Sequence, residues 1–136
     1  MRPFATLLLL SVFFTSCHKP ESVTPESLTG TWVEKSVRKD TLIFNPTFRG
    51  EVLTNTLTVN RGKEVNAGGY LSPKIGSGVY KYEMRGNRIY VQNGLSSRYV
   101  GTEYAITREG NELHIENFFE LGFNQLATAV RTLMRL

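Results

Sequence analysis

The strongest constraint on how this chain folds is the period of its apolar side chains, which past residue 28 return at every second position. In Val79-Tyr80-Lys81-Tyr82-Glu83-Met84-Arg85, the tyrosines and Met84 share one face and the charges take the other. Ile89 and Val91 oppose Arg88 and Gln92, and Leu113 and Ile115 oppose Glu112, His114 and Glu116. Successive side chains of a strand point to opposite sides, so this pattern builds antiparallel sheet with one dry and one wet face. Branched and aromatic residues in short runs broken by Gly, Asn, Pro and Asp predict strands at about 30–38, 40–45, 51–59, 78–85, 88–93, 98–107, 111–119 and 127–135. Arg85-Gly86-Asn87-Arg88 and Arg108-Glu109-Gly110-Asn111 have the composition of tight hairpin turns.

The last stretch, 126–136, reads two ways. Leu126, Val130, Leu133 and Met134 fit a helix face, whereas Thr128, Val130, Thr132, Met134 and Leu136 alternate against Arg131 and Arg135. Its β-branched content favours a closing strand. About eight hairpin-linked strands predict an all-β fold, an antiparallel up-and-down barrel in which closure removes the exposed edges; an open sandwich is the alternative. Eight strands enclose room for packed side chains or for one small ligand.

The N-terminus carries a different signal. Arg2 precedes the uncharged run Leu7–Phe14, far shorter than the roughly 20 apolar residues a membrane-spanning helix needs. A basic start, a short apolar stretch and small closing residues describe a signal peptide over residues 1–16. Phe14-Thr15-Ser16-Cys17 resembles the lipobox of bacterial lipoproteins. That resemblance implies cleavage after Ser16 and acyl chains, palmitate among them, on Cys17, the chain's single cysteine. Each buried methylene contributes about 0.8 kcal/mol, so two or three acyl chains hold a protein at a membrane. The lipidated cysteine and a flexible tether then cover residues 17–27, and the barrel domain 28–136. The residue after Cys17 is His18 and not the aspartate that retains enteric lipoproteins in the inner membrane. No acidic cluster of the kind associated with surface export follows. The expected location is the outer membrane, facing the periplasm.

Leu28-Thr29-Gly30-Thr31-Trp32 resembles the Gly-x-Trp entry of lipocalin and calycin barrels. With Asp40-Thr41-Leu42-Ile43-Phe44, Arg61-Gly62-Lys63-Glu64 and Gly76–Tyr82, the chain is similar to small lipocalin-like lipoproteins of the Bacteroides group. The resemblance implies that Trp32 closes one barrel end and that an arginine of the last strand, Arg131 or Arg135, stacks across it.

The chemistry-bearing residues are few. Glu112, His114 and Glu116 share a strand face, but alternation places that face in water, so a solvated face is the reading over an acid–base or metal cluster. No nucleophile elbow, histidine–carboxylate metal motif or phosphate loop appears, and no enzyme, cofactor or metal site is expected. The 16 basic side chains exceed the 12 acidic ones without forming a run, which argues against a nucleic-acid partner. Residues 60–77 form a long connection rich in glycine, either a flap over a barrel mouth or a tolerated insertion. Two functions follow. One is a barrel binding a small apolar or amphipathic ligand among Tyr70, Tyr80, Tyr82, Met84, Tyr90 and Tyr104. The other is a filled barrel whose rim or loop docks another envelope protein. A connected apolar cavity would favour the first, and a filled interior with exposed apolar side chains the second.

Overall fold

A computed structural model describes residues 21–36, 40–95, 101–120 and 126–136. Cys17, the expected signal peptide and the first residues of the expected tether lie outside the described residues. The fold begins with a short helix α1 (Pro25–Leu28), followed by β1 (Gly30–Glu34), β2 (Thr41–Phe44), β3 (Thr47–Phe48), β4 (Glu51–Val52), β5 (Thr56–Asn60), β6 (Lys63–Val65) and β7 (Leu71–Pro73). Then come β8 (Gly78–Arg85), β9 (Arg88–Asn93), β10 (Gly101–Glu109), β11 (Glu112–Glu116) and β12 (Val130–Arg135).

Eight of these strands close into a barrel in the order β1-β12-β11-β10-β9-β8-β5-β2, every pairing antiparallel. Each barrel strand pairs with its predecessor and successor along the chain, and β12 returns to β1, so the expected up-and-down barrel is the fold. The expectations that fail do so locally. The span 51–59 is broken into β4 and β5 because Asn55 takes a left-handed φ of 54°, which ends one strand and starts another in a new direction. Residues 60–77 hold a two-stranded hairpin, β6–β7, rather than an irregular loop. Asn117–Phe119, expected as the end of a strand, leave the sheet after Glu116.

The inner face is built as alternation dictates. Leu42, Phe44, Leu57, Val59, Tyr80, Tyr82, Ile89, Val91, Tyr104, Ile106, Leu113, Ile115 and Leu133 are all buried in one cluster. The last strand is the closing strand, but with the opposite face inward from the one its β-branched residues imply. Cross-strand partners share a face, and Leu133 faces Leu113, Arg131 faces Ile115 and Arg135 faces Trp32. Two arginines therefore point inward at the two ends of β12, with the fully buried Leu133 between them.

One barrel end is sealed by residues assigned from sequence to an extended tether. Thr24 caps α1 in a reciprocal box with Ser27, and Pro25 opens the helix, where its missing N–H costs nothing. Val23 and Leu28 are buried against the barrel end, and Glu21 bridges to Arg108. The tether reading fails over Glu21–Ser27 because Val23 and Leu28, spaced around a capped turn, gain a core to enter. Trp32 Nε1 donates to the Leu28 carbonyl at 2.7 Å, fixing the helix to β1.

Candidate functional site

The two inward arginines define the two barrel ends. At the α1 end, the Arg135 guanidinium lies 5.5 Å from the Trp32 ring centroid and donates to the Thr29 carbonyl. Gly30, beside which the Arg135 side chain runs, takes φ +125°, a backbone conformation that favours glycine. Of the two arginines expected over Trp32, Arg135 takes that place. Arg131 does not, because in an antiparallel partner the residue opposite Trp32 is Arg135 and Arg131 lies near the other end of the strand.

The opposite end, the mouth, is where a ligand would enter an eight-stranded barrel. It is occupied by the chain itself. After β11 the backbone turns in, and Phe118 and Phe119 become fully buried. The Phe118 ring stacks on Tyr104 at 4.9 Å between centroids, meets Tyr80 edge-on at 5.6 Å and packs against Phe119 at 5.3 Å. Tyr80 and Tyr104, expected to hold a ligand, hold this plug.

Charged side chains that the strand register turns inward at the mouth fasten the plug. Arg61, continuing the inward parity of Leu57 and Val59, donates through Nη1 to the carbonyls of Ile75 (2.9 Å), Phe119 (3.1 Å) and Glu120 (2.9 Å). Its Nε pairs with Asp40 at 3.3 Å. The Glu120 carboxylate accepts from Asn117 (2.6 Å), Thr128 (2.6 Å) and Arg131 (3.2 Å). These bonds, the Thr128 hydroxyl first and then the Arg131 charge, hold its pKa below the ordinary glutamate value. Arg131 also stands 3.8 Å from the buried Glu34. Gly76 brings the β7–β8 connection against the plug. A Cβ there would sit 1.7 Å from the Phe119 carbonyl oxygen, so only glycine fits.

The remaining expected ligand residues separate. The buried Tyr82 donates its hydroxyl to Asn45 at 2.9 Å and meets Phe44 edge-on at 5.3 Å, near the α1 end. Burial pushes its pKa up to about 12, and burial likewise raises Tyr80 and Tyr104. All three are neutral phenols packed as core. Met84 is half-buried and lines an open groove of about 540 Å3 with Val23, Pro25 and Ile106. Tyr90 is on the outer face, because the inner positions of β9 are Ile89 and Val91; the Arg85 guanidinium lies 3.9 Å over its ring. Tyr70 is at the tip of the β6–β7 hairpin, 75% exposed, where no barrel wall meets it.

Glu112, His114 and Glu116 face outward, as alternation requires. Glu112 pairs with Lys35, His114 Nδ1 contacts the Thr132 hydroxyl at 3.0 Å, and Glu116 accepts from the Ala105 amide at 2.6 Å. Among the described residues no three His, Cys, Asp or Glu side chains converge to hold a metal ion.

Sequence reasoning missed the Phe118–Phe119 plug, which reads as more strand, and the role of Arg61, which reads as one cation in a long loop. Asn117-Phe118-Phe119-Glu120 did carry a signal. Two adjacent large apolar residues break the period of two, so both cannot face one side of a strand. No family model, curated protein or solved structure matches the chain.

Proposed function

We propose that the protein is a lipid-anchored envelope lipoprotein whose filled barrel serves as a non-enzymatic module for docking another envelope protein. The observation that carries this reading is that the chain's own side chains fill the space a ligand would need. Trp32 and Leu28 occupy one end, Phe118 and Phe119 the other. The β6–β7 hairpin beside the mouth meanwhile exposes Val65, Tyr70 and Leu71, with Ile75 just beyond it. A contiguous set of exposed apolar groups on a rim is a docking feature, with aromatic residues supplying most of the affinity. The anchor is acyl lipid on Cys17, and the location is the outer membrane facing the periplasm. The lipocalin-like affiliation draws support from the Gly30-Thr31-Trp32 entry with Arg135 across the indole.

The test is a photo-crosslinking amino acid placed at Tyr70 and, as a reference, at Tyr90 on the barrel flank, in living cells. A discrete protein adduct at position 70, absent at 90 and lost when Leu71→Asp is added, is the expected result. No adduct at 70 above the level at 90 overturns the docking reading.

A second reading, binding of a small apolar ligand, is favoured by one observation. Phe118 lies outside any strand and stacks on Tyr104, so an aromatic group already occupies the inner mouth and a ligand of similar shape would replace it. Native mass spectrometry of the protein purified from its own host distinguishes the two, because a retained small molecule belongs only to this second reading.

A further inference from the structure

The β3–β4 hairpin has no part in the barrel wall and no part in the proposed docking at the mouth. It leaves the opposite end, between β2 and β5. Its base is tied to α1, because the Asn45 side chain donates to the Pro25 carbonyl at 3.0 Å and to the Thr29 hydroxyl at 2.8 Å. The Leu53 amide donates to the Pro46 carbonyl at 2.9 Å. Beyond that base the hairpin carries Phe48 (60% exposed), Val52 (54%) and Leu53 (39%), with the Arg49 guanidinium 5.2 Å from the Phe48 ring. Val52 and Pro25 line an open groove of about 600 Å3 between hairpin and helix.

The length of chain before α1 says what covers these side chains. Glu21 already belongs to the fold, paired with Arg108 by backbone bridge and, at 3.8 Å, by charge. Only His18, Lys19 and Pro20 separate it from Cys17. Four residue steps reach at most about 14 Å. With acyl chains on Cys17, that distance holds the α1 end against the bilayer surface and leaves the β6–β7 hairpin on the far end. Charge does not direct this approach, since Arg49, Arg85, Arg88 and Arg108 share the end with Glu21, Glu26, Glu51 and Glu109. Apolar contact does. Phe48 and Leu53 are exposed beside Arg49, with Glu51 as the cross-strand partner of Phe48. A short hairpin of this kind has the composition of an interfacial element, its apolar groups among the upper acyl carbons and its charged groups at headgroup level.

We infer that the Thr47–Leu53 hairpin is a membrane-contacting element that seats the barrel end-on upon the lipid surface, with Phe48 and Leu53 entering the headgroup–acyl boundary and Val52 turned to the groove beside α1. The inference rests on the lipid anchor proposed for Cys17.

The test uses the full-length lipidated protein in vesicles of phosphatidylethanolamine and phosphatidylglycerol. Cys17 is the single cysteine and its thiol is consumed by lipid, so Glu51→Cys and Tyr70→Cys each give one site for an environment-sensitive dye. The expected result is quenching by nitroxide-bearing lipids several-fold stronger at position 51 than at 70, abolished by Phe48→Asp with Leu53→Asp. Equal weak quenching at both positions, with acyl chains found on the N-terminal fragment by mass spectrometry, overturns the inference and leaves the anchor standing. Burial of the position-51 dye that rises with protein concentration in the absence of vesicles assigns the hairpin to a second copy, and also overturns it. An unmodified Cys17 removes anchor and inference together.

Discussion

Replacing Arg135 by Met removes two interactions of one guanidinium while keeping most of the apolar stem. The first is the charged hydrogen bond to the Thr29 carbonyl, an interaction worth about 1.5–3 kcal/mol. The second is the cation–π contact across Trp32 at 5.5 Å, worth about 0.5–2 kcal/mol. Both act on the same joint between α1 and β1, so they overlap, and a loss of about 2–4 kcal/mol is expected. For a domain of this size that is a fall in Tm of roughly 8–20 °C. Arg135→Lys keeps the charge but not the planar fork, so it should recover only part of the loss. Trp32 is the only tryptophan and is fully buried, so its emission reports the joint directly during urea unfolding. A change below about 0.5 kcal/mol for Arg135→Met, the scale of an ordinary surface substitution, would refute the reasoning that this guanidinium locks the closed end.

Three further outcomes are expected. Gly76→Ala forces a Cβ into the Phe119 carbonyl, 1.7 Å away, at φ +83°; it should cost more than about 1 kcal/mol and increase the binding of an apolar dye at the mouth. Glu120 has its pKa lowered by the Thr128 hydroxyl and the Arg131 charge, so its stabilisation of the plug is present above the ordinary carboxylate range and is lost as pH falls through its folded value. Accordingly, Glu120→Gln should differ from the parent protein in urea midpoint near neutrality and converge with it as pH drops below about 4. Tyr82→Phe leaves the buried Asn45 oxygen without the donor that meets it at 2.9 Å, a loss of about 1–3 kcal/mol by denaturant titration, and should delete a phenol that ionises near pH 12 from the ultraviolet titration.

The barrel was legible because its signal is redundant. Each of Tyr80, Tyr82, Ile89, Val91, Leu113 and Ile115 repeats the same inward parity, so no single ambiguous residue could reverse it. The closing strand was harder, since its β-branched residues pull the assignment outward. Its true inner face is Arg131, Leu133 and Arg135, which looks polar until the arginines are seen to have partners at the barrel ends. Tyr70, Tyr90 and Tyr82 show why the site residues dispersed. Aromatic content identifies candidates, but strand parity sends Tyr90 outside, a hairpin tip carries Tyr70 away, and Tyr82 becomes core. The helix α1 was missed because its four residues are too few for a period, and its capping box closes with Ser27 rather than with the glutamate or glutamine that marks most such boxes.

The pairing of β1 with β12 has a consequence for how the molecule is made. Thr29 and Arg135, which meet at the sealed end, are separated by 106 positions. A chain delivered N-terminus first therefore has its tryptophan in place long before the guanidinium that covers it, and β1 waits with one flank unpaired. Ring closure must be among the last events of assembly, and contacts so distant along the chain form slowly. Until then the nascent sheet offers two open borders to any strand nearby, making this interval the one in which a chaperone has most to protect.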